Sequence, residues 1–547
     1  MDAATPPPFV VYEEASGTVV SVSTHENCPE YGRYAAQRHG PFTGGRYDLP
    51  YQRPADACRK VVIPEVEAVI VEMNKTIKDP DLFRLFENCF PNTLDTSVTW
   101  TGVSNTNVNE ELTFITTGDI HAMWLRDSAN QLQSYVSLLK PPQPPQHSSK
   151  DTTTTTNNRP SSSSSSSSRL ASLFRGAINL QARYILASPH CNAFQPPAEA
   201  GMAPGNDGNK HDLVWPPYRH DVVFECKYEL DSLAAFLQLS WDYFSRTKDT
   251  RFFGGADGWM DAVITILDTV EEMRMPTYSQ DGKVPDSPYR FERTSSVPTE
   301  TLANRGNGSP VKGGTGLIRS GFRPSDDATT YQFLIPANMM LVKYLEQCAE
   351  IMAKVEKEED RLATRMRRIA KEIRKGIEKH GKIVHPDFGE ILAYEVDGFA
   401  SSSVMDDANL PSLLSSPLTG YITRTDPIYR ATRKFILSNA NPYYDHGPVI
   451  NGTGGPHIGP GMVWPMSLVV GIMTTDDDEE IKDMLSQILS STAGLGLIHE
   501  SVNVHNQGMW TRSWFSWANG LFGQMILDLK ERKPHILKTS FQGDKSK

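Results

Sequence analysis

The 547-residue chain reads as an all-α protein, and the way its helices and loops alternate describes an α/α toroid. Three observations carry that reading. Apolar residues recur at a period near 3.6 through most of the chain, and alternating, strand-like stretches are few. The chemically distinctive motifs fall in loops between helices of similar length, which is where a toroid delivers side chains to one end of its inner ring.

The segments can be justified in order. Helical stripes run through 170–185, 230–244, 259–273, 340–355, 362–377, 481–489 and 514–529. Trp259, Ala262, Val263, Ile266, Leu267, Val270 and Met273 show the pattern well. Pro336 suits the first turn of the helix over 340–355, where its missing N–H costs nothing. The acidic run from Asp476 to Glu480 suits the start of the next helix, because carboxylates are favoured at the positive end of the dipole. The basic residues between Arg361 and Lys382 read as a solvated helix face. Weak alternation at 112–115 and 391–396 predicts short hairpins at the mouth of the cavity. Residues 141–168 pass from proline and glutamine through a threonine run to eight consecutive serines. Such a tract cannot bury enough apolar surface to offset its ordering entropy, so it is expected to be a disordered insertion. Helical patterns flank it on both sides, which places it inside one fold. The expected organisation is an N-terminal extension (1–59) packed on a catalytic unit (60–535), followed by a tail (536–547).

Composition narrows the function. The net charge of −11 argues against nucleic acid, which is bound by clustered Lys and Arg. No apolar run is long enough to cross a bilayer. The N-terminus as written has neither a basic start nor an apolar core, so it gives no secretory signal and leaves the compartment open: cytoplasmic as written, secretory if trimmed. The six cysteines show no Cys-x-x-Cys spacing, which excludes a structural zinc site and leaves one or two disulfides open. No metal, no cofactor and a monomer are expected.

Isolated acids in aromatic, glycine-rich loops point to chemistry. Ser320-Gly321-Phe322-Arg323-Pro324-Ser325-Asp326-Asp327 is the first such segment, and His499-Glu500-Ser501 after Gly494-Leu495-Gly496 is the second. Asp326-Asp327 has a structural reading as the first turn of a helix capped by Ser325. It also has a chemical one: an ionised neighbour makes the second acid harder to ionise, as a general acid requires. Glu500 precedes a run rich in Asn, His and Trp (Asn503, His505, Asn506, Trp510, Trp514, Trp517), side chains suited to sugar hydroxyls and sugar faces. Trp124-Leu125-Arg126-Asp127, after Gly118-Asp119, adds an indole, a fork of donors and a carboxylate fit for vicinal hydroxyls. Asp406-Asp407-Ala408-Asn409 repeats the acid pair, and Gly459-Pro460-Gly461-Met462-Val463-Trp464 is a rigid turn that would put Trp464 at a pocket rim. Two carboxyl groups facing each other across a sugar are the equipment of a glycoside hydrolase. Magnesium-dependent diphosphate chemistry is disfavoured, because neither acid pair has a further acid one turn on.

These motifs, in this order, resemble glycoside hydrolase family 125, the metal-independent exo-α-1,6-mannosidases. The match takes in Thr117-Gly118-Asp119-Ile120, Trp124 to Ser128, Ser320 to Asp327, Glu395-Val396-Asp397-Gly398-Phe399, Met405 to Ser412, and His499-Glu500-Ser501, spanning roughly 60–530. The resemblance implies an (α/α)₆ barrel and inverting hydrolysis of a terminal α-1,6-linked mannose on mannose-rich glycans. It implies an aspartate of the Asp326-Asp327 pair as general acid, a choice the sequence leaves open, with Asp327 favoured and Asp326 as the neighbour that tunes or orients it, and Glu500 as the base. Trp124, Arg126, Asp127, Asp119, Arg323, Asn409, Trp464 and His499 are the expected sugar-binding residues. Two rival readings stand beside it: a catalytically silent glycan-binding protein on the same scaffold, and a calcium-dependent α-mannosidase.

Overall fold

The computed structural model describes residues 28–141, 166–205, 211–255, 258–356, 361–543. Helices dominate, as the periodicity requires, and they divide into two sets by burial. In Leu125–Leu132 every residue is buried, and so is every residue of Pro465–Met473. Pro465–Met473 is apolar nearly throughout, as an inside helix is, whereas Leu125–Leu132 is buried although it carries Arg126, Asp127, Ser128, Asn130 and Gln131. Ser516–Arg532 packs on Leu125–Leu132, which packs on Leu230–Thr247 and that in turn on Ile335–Val355. The short Ser416–Thr419 helix follows beside Ile335–Val355, and Pro465–Met473 returns to Ser516–Arg532. These are the inner positions of an α/α toroid.

The outer set is amphipathic. Arg361–His380 buries Ala363, Met366, Ile369, Ala370, Ile373 and Ile377 against Ile335–Val355 and turns its basic residues outward. Ser166–Ala187, Trp259–Glu272, Pro427–Ile436, Asp478–Ser490 and Pro80–Cys89 complete the outer layer. Local signals set their ends. Asp477 caps Asp478–Ser490 by accepting from the N–H groups of Glu479 and Glu480, and Pro336 occupies the first turn of Ile335–Val355. Pro80–Cys89 and Pro427–Ile436 follow the same plan, an Asp cap and then a proline.

Strands are short and gather where the inner helices begin. Met123–Trp124 pairs with Ala193–Phe194, and that with Val223–Glu225. Phe333–Leu334 pairs with Glu395–Val396, and Met462–Val463 with Ser501–Asn503. The hairpin expected around 112–115 is Glu111–Ile115 against Val98–Val103. Residues near the N-terminus pack on this body through Arg53, buried between Asp95 and Glu67, and through Tyr31 edge-on to Trp514. At the other end, the Phe541 N–H donates to Asp79. The serine-threonine tract, over 142–165, lies outside the described residues. Two disulfides form, Cys28–Cys58 and Cys191–Cys226, while Cys89 and Cys348 are buried thiols. No helix of the described residues is long and apolar enough to cross a membrane.

Candidate active site

Three of the inner helices present their N-terminal ends to one pocket, which spans about 390 Å³ when space open to solvent is counted. Trp124, Trp464 and Phe515 each precede the first residue of an inner helix and line this pocket. Of the residues singled out from sequence, the pocket brings together Trp124, Arg126, Asp127, Asp326, Asn409, Trp464 and Glu500.

One wall is an ionic lattice. Arg126, 2% exposed, donates to Glu229 at 2.6 Å and to Asp231 at 3.2 Å, and lies 3.3 Å from Asp127 and 3.8 Å from Asp326. Its guanidinium also sits over the Trp517 ring. Asp326 does not start a helix; it adopts a left-handed turn with φ 66°. That turn is closed by the Asp326 N–H donating to the Arg323 carbonyl and the Arg323 N–H donating to the Asp327 carbonyl. Asn192 Nδ2 donates to the Asp326 carboxylate at 3.2 Å, and Lys227 Nζ to its carbonyl at 2.8 Å. Burial alone would raise Asp326, but Lys227 and Arg126 outweigh it and hold the carboxyl below its ordinary range. Glu229, hydrogen-bonded to Asp326, moves the other way: burial, opposed by Arg126 and reinforced by Asp326, lifts it well above the usual value. The two carboxyls are thus driven apart, with protonation favoured on Glu229 and disfavoured on Asp326.

Asp327, 2% exposed, is not among the residues that line the pocket, although its contacts Ser325 and His457 are. The Ser325 hydroxyl lies between it and Asp407, at 3.3 and 2.7 Å. On its other side His457 Nδ1 stands 3.6 Å away. Burial disfavours the imidazolium, yet Asp327, Asp326 and Glu500 together raise His457 to about 9. His457 is thus a cation in the pocket wall at neutral pH.

The opposite wall is sparser. Glu500 enters it just after a turn in which Gly494 and Gly496 both take positive φ, a conformation that favours glycine. Its N–H donates to the Thr511 carbonyl, and Arg512 Nε stands 3.4 Å from its carboxylate. Arg512 also reaches Asp119 at 3.6 Å. The indole N–H groups of Trp124, Trp464 and Trp517, together with Arg126 Nε, are buried with no hydrogen-bond partner among the described residues. Unsatisfied buried donors of this kind call for an acceptor-rich ligand or water.

The remaining sequence candidates stand elsewhere. Arg323 is buried against Glu395 at 2.6 Å, and Glu395 also accepts from the N–H groups of Thr330 and Tyr331. His499 is stacked on Trp510 and lies off the pocket lining, and burial lowers it to about 4. Asp119 touches the site only through Arg512. Asn409 lines the pocket and binds Asp407 through its backbone and side-chain N–H groups. Sequence reasoning missed His457, Arg512, Glu229 and Lys227. The first two had a signal, lying in a Gly-Pro-rich loop and a tryptophan-rich run like those singled out. Glu229 and Asp231 looked like ordinary acids at a helix start.

Comparison with known proteins bears on the family and the fold. A family model described as metal-independent α-mannosidase (GH125) matches residues 79–527. The meiotically up-regulated gene 157 protein of Schizosaccharomyces pombe is 47% identical over 516 residues, 93% of this chain and 94% of that protein. A metal-independent α-mannosidase of Streptococcus pneumoniae, solved in a non-productive substrate complex with α-1,6-mannobiose, is 31% identical. It superposes with a TM-score of 0.71 over 86% of this chain and 99% of its own. A helical ring whose inner N-termini converge on paired acids, and a match over most of its length, lead to one conclusion: the chain belongs to the GH125 family of metal-independent α-mannosidases.

Proposed function

We propose that this glycoside hydrolase removes a terminal α-1,6-linked mannose from mannose-rich glycans, with inversion and without a metal. The observation that carries the reading is the placement of Asp326 and Glu500 on the same pocket, among indoles with free N–H groups. The bacterial relative's complex with α-1,6-mannobiose supports the linkage. In this reading Glu500 removes a proton from a water that attacks the anomeric carbon, and an acid on the Arg126 side protonates the departing oxygen.

Between the neighbouring aspartates we assign the proton donor to Asp326, because its carboxyl lines the pocket and that of Asp327 does not. Glu229, hydrogen-bonded to Asp326 and raised by burial, is the neighbour from which Asp326 would receive the proton it delivers. Asp327, held between Ser325 and His457, orients the turn. Inversion leaves room for a water, so the two acting carboxyl groups would stand about 6.5–9.5 Å apart. Trp124, Trp464, Arg126, Asp127 and Asn409 hold the terminal sugar.

The test is proton NMR of α-1,6-mannobiose with the purified protein, with and without EDTA, following the anomeric signals at early times. β-Mannose appearing first, at the same rate under chelation, is the expected result. α-Mannose first would remove the inverting assignment, and loss of activity in EDTA would favour a calcium-dependent reaction. No release from any mannobiose would leave a glycan-binding role.

A further inference from the structure

Asp326 holds a backbone conformation that a side chain with a Cβ adopts at a cost of order 1 kcal/mol, so the turn persists only where its surroundings over-determine it. Two of its restraints come from segments distant in sequence. Asn192 Nδ2 donates to the Asp326 carboxylate, and Lys227 Nζ to the Asp326 carbonyl. The same two residues bind each other, the Lys227 N–H donating to Asn192 Oδ1 at 3.0 Å. Asn192 Nδ2 also reaches Glu229 at 3.1 Å, and so touches both members of the acid pair. Both residues are buried, Asn192 at 0% and Lys227 at 4% exposure.

Each of these residues follows directly on a cysteine, and Cys191 and Cys226 are joined to each other. Beside the disulfide, the backbone tie between the segments is the brief pairing of Ala193–Phe194 with Val223–Glu225, extended by the Gln195 N–H donating to the Val222 carbonyl, and Asn192 adds side-chain bonds to Glu225, Lys227 and Glu229. So short a ladder is weak by itself, and the chain between is punctuated by prolines and glycines at 196, 197, 201, 204, 205, 216 and 217. A covalent tie next to both restraints sets their spacing.

We propose that Asn192 and Lys227 are positioning residues for Asp326, and that the Cys191–Cys226 disulfide is the tie that holds this clamp in register. The clamp rests on the mannosidase reading given above. It acts on orientation: the disulfide contributes no group to the pocket, and opening it lets the Asp326 turn relax away from the leaving oxygen. Misplacement of a reacting group by about 1 Å costs about 10²-fold in rate.

The experiment compares kcat, KM and melting temperature on α-1,6-mannobiose for the wild type, Lys227→Met, Lys227→Arg, and the paired variants Cys191→Ala/Cys226→Ala and Cys28→Ala/Cys58→Ala. The expected result is a kcat about 10²-fold lower in Lys227→Met and in the Cys191/Cys226 pair, with KM nearly unchanged and partial recovery in Lys227→Arg. The Cys28/Cys58 pair should lose melting temperature and keep kcat. Should the Cys191/Cys226 pair fail to fold, Lys227→Met and its arginine counterpart carry the comparison. Full kcat in either of the two disrupting variants would overturn the clamp while leaving the mannosidase reading intact, and so would equal loss of kcat in both disulfide variants. A wild type that releases no mannose would overturn that reading and the clamp with it.

Discussion

Asp326 and Glu500 face the same pocket from unlike surroundings. Behind Asp326 stand Arg126 and Lys227, and beyond them Asp127, Glu229 and Asp231, all buried. Glu500 meets a single guanidinium, Arg512, itself shared with Asp119. Charges so crowded in a low-dielectric wall cannot all ionise independently, and protonation is favoured on Glu229 and disfavoured on Asp326. The Glu500 side has no such crowd. That contrast matches the donor and acceptor roles proposed for the two walls.

The largest expected effect probes both walls at once. Asp326→Asn and Glu500→Gln should each lower kcat by about 10²–10⁴-fold with the fold intact, measured on α-1,6-mannobiose with circular dichroism as the control. Wild-type turnover in either would break the pairing of acid and base. Asp327→Asn should cost less, about ten-fold, since orientation alone is lost. If Asp327→Asn proved the more damaging of the two aspartate changes, the proton donor would be reassigned to it.

Stability separates the walls in a second way. Arg126→Met leaves Glu229, Asp231 and Asp127 without their shared cation, and breaking such a buried set costs about 3–5 kcal/mol. A shift in the urea midpoint reads this directly; an unshifted midpoint would mean that the acids simply take up protons. pH gives a subtler test. His457 rises from its ordinary 6.5 to about 9 in the folded protein. Its contribution to stability is therefore present in full below 6.5 and is lost as pH climbs through about 9. His457→Gln should flatten that part of the stability profile, and an identical profile in the variant would remove His457 as the group responsible. Asp119→Asn should be the mildest change, within about 1 kcal/mol and leaving kcat nearly unaltered, because its partly exposed ion pair with Arg512 is screened. A large loss of activity there would show that the Glu500 wall depends on Arg512 being held from outside.

Much of the fold was legible because the outer helices obey one-sided patterning. The stripe over 362–377 falls within the observed Arg361–His380, and the Asp476-to-Glu480 run sits where its charge requires. Two inner helices were harder to read: Leu125–Leu132 is short and mostly polar, and Pro465–Met473 is apolar nearly throughout, so neither shows a one-sided apolar stripe. The site divided likewise. Trp124, Arg126, Asp127, Asn409, Trp464 and Glu500 lie in motifs whose composition suggests a cavity, and the pocket gathers them. Arg323 and His499 lie in equally suggestive motifs, yet one pairs with Glu395 and the other stacks on Trp510.

The sequence by itself determined the helical class and the short segments that carry acids, because periodicity and local capping are properties of neighbours along the chain. Which of two adjacent aspartates meets the pocket, and what holds it there, depended on Arg126, Asn192, Lys227 and His457, brought from elsewhere in the chain. Only the tertiary structure could decide that, since the burial and charge acting on a carboxyl are summed over neighbours in space.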